Sequence, residues 1–536
     1  MTAELQLYDA TLRDGMQGEG MSLTAAEKVR VAHALDDLGI DLIEAGFPSS
    51  NPKEEEVFAL LEGETFRHAR IVAFGMTRRR DLRADEDPGL RTLAACFAPV
   101  CTIVGKTWSL HLEKVLRVSR AENLAIIRDS VAFLVGEGKE VVYDAEHFFD
   151  AYRDDRDYSL ECLRAAVEAG ARTIVPCDTN GSSLPHEITE AVEDVVEYLA
   201  ALDPAVRVGT HYHDDAGCGV ANTLAGVLAG ATQVQGTLNG VGERTGNANL
   251  MSIIPNLQLK LGRPVVTDEQ LAQLTPTAHF LDELLNRSSN PQQPYVGRLA
   301  FTHKGGLHAA GMRADASTFE HVRPEVVGNV SDVLVSELAG RHAVLDKAAG
   351  AGLDIDDDVA RKVIERVKQL EHLGYHFEAA DGSLELLMRR EAGAYAPLFT
   401  LESWRVIVEQ RADGAVETEA TIKIWIDGER FVRTAEGNGP VNALDNALRS
   451  AIVEIHPHLR DIELVNYKVR ILDASSGTQA TTRVLIDASD GTETWGTIGV
   501  GENVIAASWQ ALVDSLERAE QPGRVAPGAA ERTASS

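Results

Sequence analysis

Two histidines two residues apart, His211 and His213, end the strand-like run Val206-Arg-Val-Gly-Thr210. Side chains two apart on a strand share a face, so these imidazoles can meet a single cation. A solvated or hydrogen-bonded histidine pair is the competing reading. Two further segments hold oxygen donors that would complete a mixed site: Asp14 in Asp9-Ala-Thr-Leu-Arg-Asp-Gly15, and Asn247 in Gly240-Val-Gly-Glu-Arg-Thr-Gly-Asn-Ala-Asn249. Two imidazoles, a carboxylate and an amide suit Mn2+, Zn2+ or Co2+, and Mg2+ at lower affinity, with positions left open for substrate oxygens.

Residues so far apart in the chain need a frame that gathers them. Strand-like runs recur through the first half: Leu5–Tyr8, Asp41–Ala45, Arg70–Phe74, Val100–Val104, Glu140–Tyr143, Thr173–Pro176, Val206–Thr210 and Thr232–Gly236. Amphipathic stretches such as Thr24–Leu38, Asn123–Val135, Ser159–Ala169, His186–Leu202 and Gly219–Ala229 separate them, with a last helix near Leu250–Leu261. Eight such units in about 250 residues predict an α/β fold of the (β/α)8 TIM-barrel type rather than an open doubly wound sheet. In a barrel the C-terminal strand ends converge on one face. Asp14, Glu44, Glu146, Thr179, His211, His213 and Asn247 all fall at or just after a strand end, which is the reason to treat them as one site.

The 536 residues exceed one ordinary core and call for several domains. The first, 1–265, is the expected barrel. From Thr267 to about Arg390 the pattern is helical with polar turns, giving a linker region at 266–395. It carries the Gly-rich loop Phe301-Thr-His-Lys-Gly-Gly-Leu-His-Ala-Ala-Gly311. From Leu401 strands return as a weak repeat. Ala420-Thr-Ile-Lys-Ile-Trp-Ile-Asp427 with Gly437-Asn-Gly-Pro440 parallels Ala480-Thr-Thr-Arg-Val-Leu-Ile-Asp487 with Gly499-Val-Gly-Glu502. Two halves of about 60 residues predict a duplicated α+β domain at 396–520. The tail, 521–536, is rich in Ala, Pro, Gly and Ser and is expected to be disordered.

A formal net charge of −31 disfavours nucleic acid and anionic membrane as partners. No apolar run reaches membrane-span length, and the start Met-Thr-Ala-Glu-Leu-Gln-Leu lacks a signal core, so a cytoplasmic location is expected. Five scattered cysteines without a Cys-x-x-Cys pair predict free thiols rather than a disulfide framework.

Asp9-Ala-Thr-Leu-Arg-Asp-Gly15, Glu44-Ala-Gly-Phe-Pro48, Cys177-Asp-Thr-Asn-Gly181, His211-x-His213-x-Asp215 and Gly242-Glu-Arg-x-Gly-Asn247 together resemble the motif set of the isopropylmalate, homocitrate and citramalate synthase family. The resemblance extends over nearly the whole chain. Finer segments, including Tyr143-Asp-Ala-Glu-His-Phe-Phe149 and Gln293-Pro-Tyr-Val-Gly297, are similar to the citramalate branch. That family resemblance implies a Claisen-type condensation of acetyl-CoA with a 2-oxo acid, pyruvate in this branch, followed by thioester hydrolysis. It also implies a shared-site homodimer and a C-terminal allosteric domain, with isoleucine as the effector. Asp14, His211, His213 and Asn247 are then the metal residues. Arg13 polarises the ketone and binds substrate with Thr179 and Glu44, Glu146 orients Arg13 as an ionised carboxylate, and His308 is the base, with His303 as its rival. In the residues themselves, Arg13 as a structural partner of Glu146 or Glu44, and Thr179 as a turn or cap, remain open.

The chain departs from the family pattern at Asp214, Phe319, Ala45 and Phe47. Asp214 would add charge near the cation, and Phe319 would remove a hydroxyl from beside the base. The alternatives are the same scaffold with a larger 2-oxo acid, a retro-aldol lyase on a similar barrel, and a non-catalytic binding protein. Met76-Thr-Arg78 and Lys106-Thr-Trp108 lie where substrate choice would be made.

Overall fold

The computed structural model describes residues 5–303, 308, 311, 312, 314–333, 341–472 and 479–521. Most of the expected disordered tail, and residues 304–307, 309 and 310 of the Gly-rich loop, lie outside them. The described residues fall into two compact units, one spanning Met1–Phe301 and His321–Ser331, the other Thr302–Glu320 and Asp332–Ser536. The division falls inside the expected helical region. Helices Asp268–Leu271 and Leu274–Leu284 belong to the first unit, and Arg341–Gly350, Asp357–His372 and Asp381–Glu391 to the second.

The first unit is a closed barrel of eight parallel strands: β1 (Gln6–Asp9), β2 (Leu42–Gly46), β3 (Arg70–Met76), β4 (Val100–Lys106), β5 (Glu140–Glu146), β6 (Thr173–Asp178), β7 (Arg207–Tyr212) and β8 (Gln233–Gly236). Each strand pairs with the next, and β8 closes on β1 through Tyr8 opposite Gln235. All eight expected strands are present. Several run one to three residues further toward the C-terminal mouth, because residues such as Lys106 and Glu146 continue the ladder. The helices begin at local signals. Thr24 and Glu27 form a capping box ahead of Ala25–Leu38, and Asn51, Ser119 and Asp155 cap Pro52–Glu62, Arg120–Gly136 and Arg156–Glu168. Their apolar faces, with Leu35, Leu61, Leu134, Leu163 and Val195 among them, bury against the outside of the barrel.

The barrel interior changes character along its axis. Leu42, Val72, Val100, Val142 and Val175 fill an apolar layer with Tyr8. Toward the mouth the inward positions turn polar: Glu44, Thr102, Asp144, Gln235 and His211 are each nine-tenths or more buried. β2 carries a bulge there, since Glu44 pairs with Val72 while Gly46 pairs with Ala73, leaving Ala45 as the extra residue. Parallel bulges of this kind re-aim side chains beside sites.

The second unit contains two three-stranded antiparallel sheets, Thr400–Gln410, Val416–Ile426 and Glu429–Gly437, then Glu463–Ile471, Thr482–Ser489 and Thr494–Gly501. Helices Pro440–Ile455 and Val504–Glu520 follow the first and second sheet, as the repeat predicts. Ile422, Ile424, Val484 and Ile486 of the middle strands meet Leu444, Leu448 and Leu512 of these helices in one core.

Candidate active site

After β1 the chain turns sharply, with the backbone N–H groups of Arg13, Asp14 and Gly15 all donating to the carbonyl of Ala10 at 3.2, 2.9 and 3.0 Å. Thr11 secures the turn from below by donating from its N–H and hydroxyl to Asp9, at 2.8 and 2.7 Å. Asp14 is thereby aimed at the end of β7, where its Oδ2 lies 3.4 Å from His211 Nε2 and 3.7 Å from His213 Nε2. These three buried residues are the one group of His, Cys, Asp or Glu among the described residues with ligand atoms spaced to hold a metal ion. Asp14 Oδ2 is buried without a hydrogen-bond partner, an orphan acceptor that a cation would satisfy. Asn247 joins them through the bridge between His213 and Asn247, with its amide nitrogen donating to the Val241 carbonyl at 3.3 Å. Gly242 makes room for it, because a Cβ there would lie 2.2 Å from Asn247 Nδ2.

The electrostatics suit cation binding. Burial raises the Asp14 carboxyl, but Arg13, both imidazoles and Asn247 outweigh it and hold the group below its usual value. Burial, and secondarily His211, pushes His213 down to about 4, so it stays neutral with a lone pair to give. His211 is lowered by burial as well.

Arg13 lies across this group. Its Nε donates to Glu44 Oε1 at 2.5 Å, its Nη1 to Asp14 Oδ1 at 3.1 Å, and its guanidinium stacks 3.8 Å over the Phe74 ring. Burial opposes the charge, but Glu44 and Asp14 prevail and raise the Arg13 pKa. Glu44, not Glu146, is therefore the carboxylate that orients Arg13. Glu146 instead pairs with Lys106, its direct neighbour in the β4–β5 register. Sequence distance does not reveal such a partner, because register alone sets it. Tyr8 donates to Glu44 from beneath and shares a 2.8 Å hydrogen bond with Thr102, fixing the far side of the carboxylate.

Thr179, just past β6, accepts from the His147 N–H at 2.9 Å, which leaves its own hydroxyl proton to donate elsewhere. Arg244 ties three loops together, bonding Asp215 at 2.8 and 2.9 Å and the Thr179 carbonyl at 2.8 Å. Asp214 accepts from the Gly219 N–H at 2.6 Å at the start of helix Gly219–Leu228. Its charge serves that helix end rather than the cation. Of the segments expected to govern substrate choice, Lys106 meets Glu146, whereas Arg78 is committed to Asp129 and Glu122. Tyr8, Phe74, His147, Gln235 and Arg244 carry no expected role, although Arg244 and Asp215 stand inside motifs that the sequence makes conspicuous.

Residues 4–281 match the HMGL-like family, 295–374 the homocitrate synthase post-HMGL domain-like family, and 378–520 the LeuA allosteric (dimerisation) domain. The (R)-citramalate synthase of Streptomyces coelicolor is 49% identical over 97% of this chain and 97% of its own length. That of Aquifex aeolicus is 47% identical over 96% and 98%. A 2-isopropylmalate synthase of Stenotrophomonas maltophilia is 33% identical over 96% and 94%. The chain belongs to the isopropylmalate, homocitrate and citramalate synthase family. It is an acyltransferase of the condensing type, of a metal-dependent family, with the buried Asp14, His211 and His213 able to hold the ion.

His308 belongs to the second unit, where its exposed imidazole packs 4.5 Å from the Phe319 ring and 6.1 Å from His303. Phe319 thus offers the imidazole a ring face and no hydroxyl. In the duplicated domain, Gly437 and Gly499 sit where strand meets helix. A Cβ at Gly437 would lie 2.5 Å from the Ala443 nitrogen, and one at Gly499 would lie 1.9 Å from the Ala507 oxygen. Close packing accounts for both glycines. No described helix is long and apolar enough to cross a membrane.

Proposed function

We propose that this chain condenses acetyl-CoA with pyruvate and hydrolyses the resulting thioester, giving (R)-citramalate and free CoA on the route to isoleucine. The observation that carries the chemistry is Arg13, fixed by Glu44 and Asp14 beside the buried Asp14, His211 and His213 group. The high identity to (R)-citramalate synthases over nearly the full chain supports pyruvate as the oxo acid.

Asp14, His211 and His213, with Asn247 beside them, would hold a divalent cation, Mn2+, Zn2+, Co2+ or Mg2+, which supplies a Lewis acid for the ketone oxygen. Arg13 keeps Nη2 to donate to the same oxygen as it becomes an alkoxide. A donor fixed before the charge develops is worth on the order of 3 kcal/mol. Thr179 donates its hydroxyl proton to the oxo-acid carboxylate, and Glu44 holds Arg13 at the correct angle. Glu146, paired with Lys106, adds a carboxylate to the mouth without adding net charge there. His308 takes a proton from the methyl group of acetyl-CoA, the step that makes the carbon nucleophile. In the second unit, isoleucine is the proposed effector and a second copy of the chain the proposed partner, in line with the match to an allosteric dimerisation domain.

The test is thiol release from acetyl-CoA with Mn2+, Zn2+, Co2+ or Mg2+ across pyruvate, 2-oxoisovalerate, 2-oxoglutarate and glyoxylate. Preference for pyruvate, lost in Arg13→Ala and His211→Ala, is the expected result. Preference for another acid would overturn the substrate, and release with none of them would overturn the activity.

A further inference from the structure

A single file of side-chain amides runs inside the barrel toward the metal group. Gln233 Nε2 donates to Gln6 Oε1 at 2.9 Å, Gln235 Nε2 donates to Gln233 Oε1 at 3.2 Å, and Gln235 Oε1 faces His211 Nδ1 at 3.0 Å. Gln233 and Gln235 are fully buried, and Gln6 is the half-buried end of the file. Every amide points the same way, so the last acceptor, Gln235 Oε1, requires a proton on His211 Nδ1. That leaves the Nε2 lone pair on the side of Asp14 Oδ2.

The file makes this direction collective. If Gln235 turned its amide over, its oxygen would oppose Gln233 Oε1 and its NH2 would oppose an Nδ1–H. Gln233 cannot turn alone, because its NH2 would then leave the Gln6 oxygen, so the direction reverses only if Gln235, Gln233 and Gln6 all turn together. A buried amide whose hydrogen bonds are replaced by acceptor against acceptor loses them with no water to compensate. His213 has no such partner, since its Nδ1 is buried and unbonded. The two imidazoles are therefore unequal, one locked and one free.

We infer that Gln235 is a positioning residue which, held by Gln233 and Gln6, fixes His211 in the Nδ1–H tautomer and so presets its Nε2 for a divalent cation. The inference rests on the proposed metal role of Asp14, His211 and His213. Outer partners of metal-bound histidines typically set affinity by about 10- to 100-fold.

The experiment is Zn2+ binding by the full chain, read by competition with a chelator, together with the histidine 15N spectrum of the metal-free protein. Gln235→Met should weaken Zn2+ by about 10- to 100-fold. Gln235→Glu, which keeps an acceptor for His211 Nδ1–H but sets an oxygen against Gln233 Oε1, and Gln233→Met, which leaves Gln235 unheld, should each weaken Zn2+ by less than Gln235→Met does. Wild-type His211, identified by the signal lost in His211→Asn, should show the Nδ1–H tautomer. Unchanged Zn2+ affinity in Gln235→Met would overturn the inference, and so would an Nε2–H tautomer at His211, a result that needs no Gln235 variant to fold. Absence of Zn2+ binding by the wild type would instead overturn the metal role, and this inference with it.

Discussion

The barrel mouth and the duplicated C-terminal domain use burial in opposite ways. At the mouth, Glu44, Asp14, Asp144, His211 and Gln235 are taken out of water, with Glu44 held by Arg13 and Tyr8 and His211 by Gln235, while Asp14 Oδ2 and Asp144 Oδ1 are left without hydrogen-bond partners. In the C-terminal domain the middle strands bury an aliphatic row, Ala420, Ile422, Ile424 and Ile426, while Val465 and Val469 of Glu463–Ile471 stand about half exposed. One region is specified by polar geometry, and the other by an apolar face with a second, half-exposed apolar surface. Substitutions should sort accordingly, with loss of chemistry at the mouth and loss of stability or association in the other region.

The largest effects should come from the mouth. Asp14→Ala and His211→Ala should abolish both Zn2+ binding and turnover. Arg13→Ala should keep the metal but lower kcat by about 100- to 1,000-fold. Isothermal titration beside the thiol-release assay separates the two, and an Arg13→Ala enzyme with near-normal kcat would break the contrast. In the second region, Ile424→Ala should cost about 2–5 kcal/mol of stability. Thermal unfolding would record that loss, with Zn2+ affinity at the mouth unchanged.

The next effect is a pH dependence. His213 is pushed down to about 4, so it is neutral through the range in which an ordinary imidazole, near 6.5, takes up its proton. The unfolded chain binds that proton first. Stability contributed by the neutral ring is therefore present above pH 6.5 or so and is lost as pH falls toward about 4. Zn2+ affinity should hold through pH 6, and a tenfold fall there in chelator competition would contradict the burial argument. Smaller still, Val469→Lys should weaken self-association while changing stability by less than about 0.5 kcal/mol, as light scattering and unfolding would show. The smallest effect concerns thiols. Burial pushes Cys101 and Cys162 up to about 12 and raises Cys177 as well, so Ellman's reagent should find at most Cys96 and Cys218 in the native protein, without loss of activity.

Much of this arrangement is legible in the chain because a barrel repeats one signal eight times. The His211-x-His213 spacing marks a shared strand face, and Asp14 gains meaning once β1 is recognised as another strand opening on the same mouth. What stays hidden is set by register and depth. Lys106 and Glu146 are forty residues apart in sequence but opposite each other in the β4–β5 ladder. Glu44 reaches Arg13 beside a bulge at Ala45 that no residue type announces. Gln233 and Gln235 read as ordinary alternating polar positions, although both are buried inside a closed barrel, where they bond each other, Gln6 and His211. The glycines at 437 and 499 stand out in the repeat, but only the structure shows the close strand–helix packing that leaves no room for a Cβ at either.

The central claim is that the mouth joins acetyl-CoA to pyruvate. Chiral chromatography of the product formed by the full chain with acetyl-CoA, 13C-labelled pyruvate and Mn2+ tests it most directly. (R)-Citramalate formed in equal amount with free CoA is the predicted result. Free CoA without labelled citramalate, or condensation with 2-oxoisovalerate in preference to pyruvate, would contradict it.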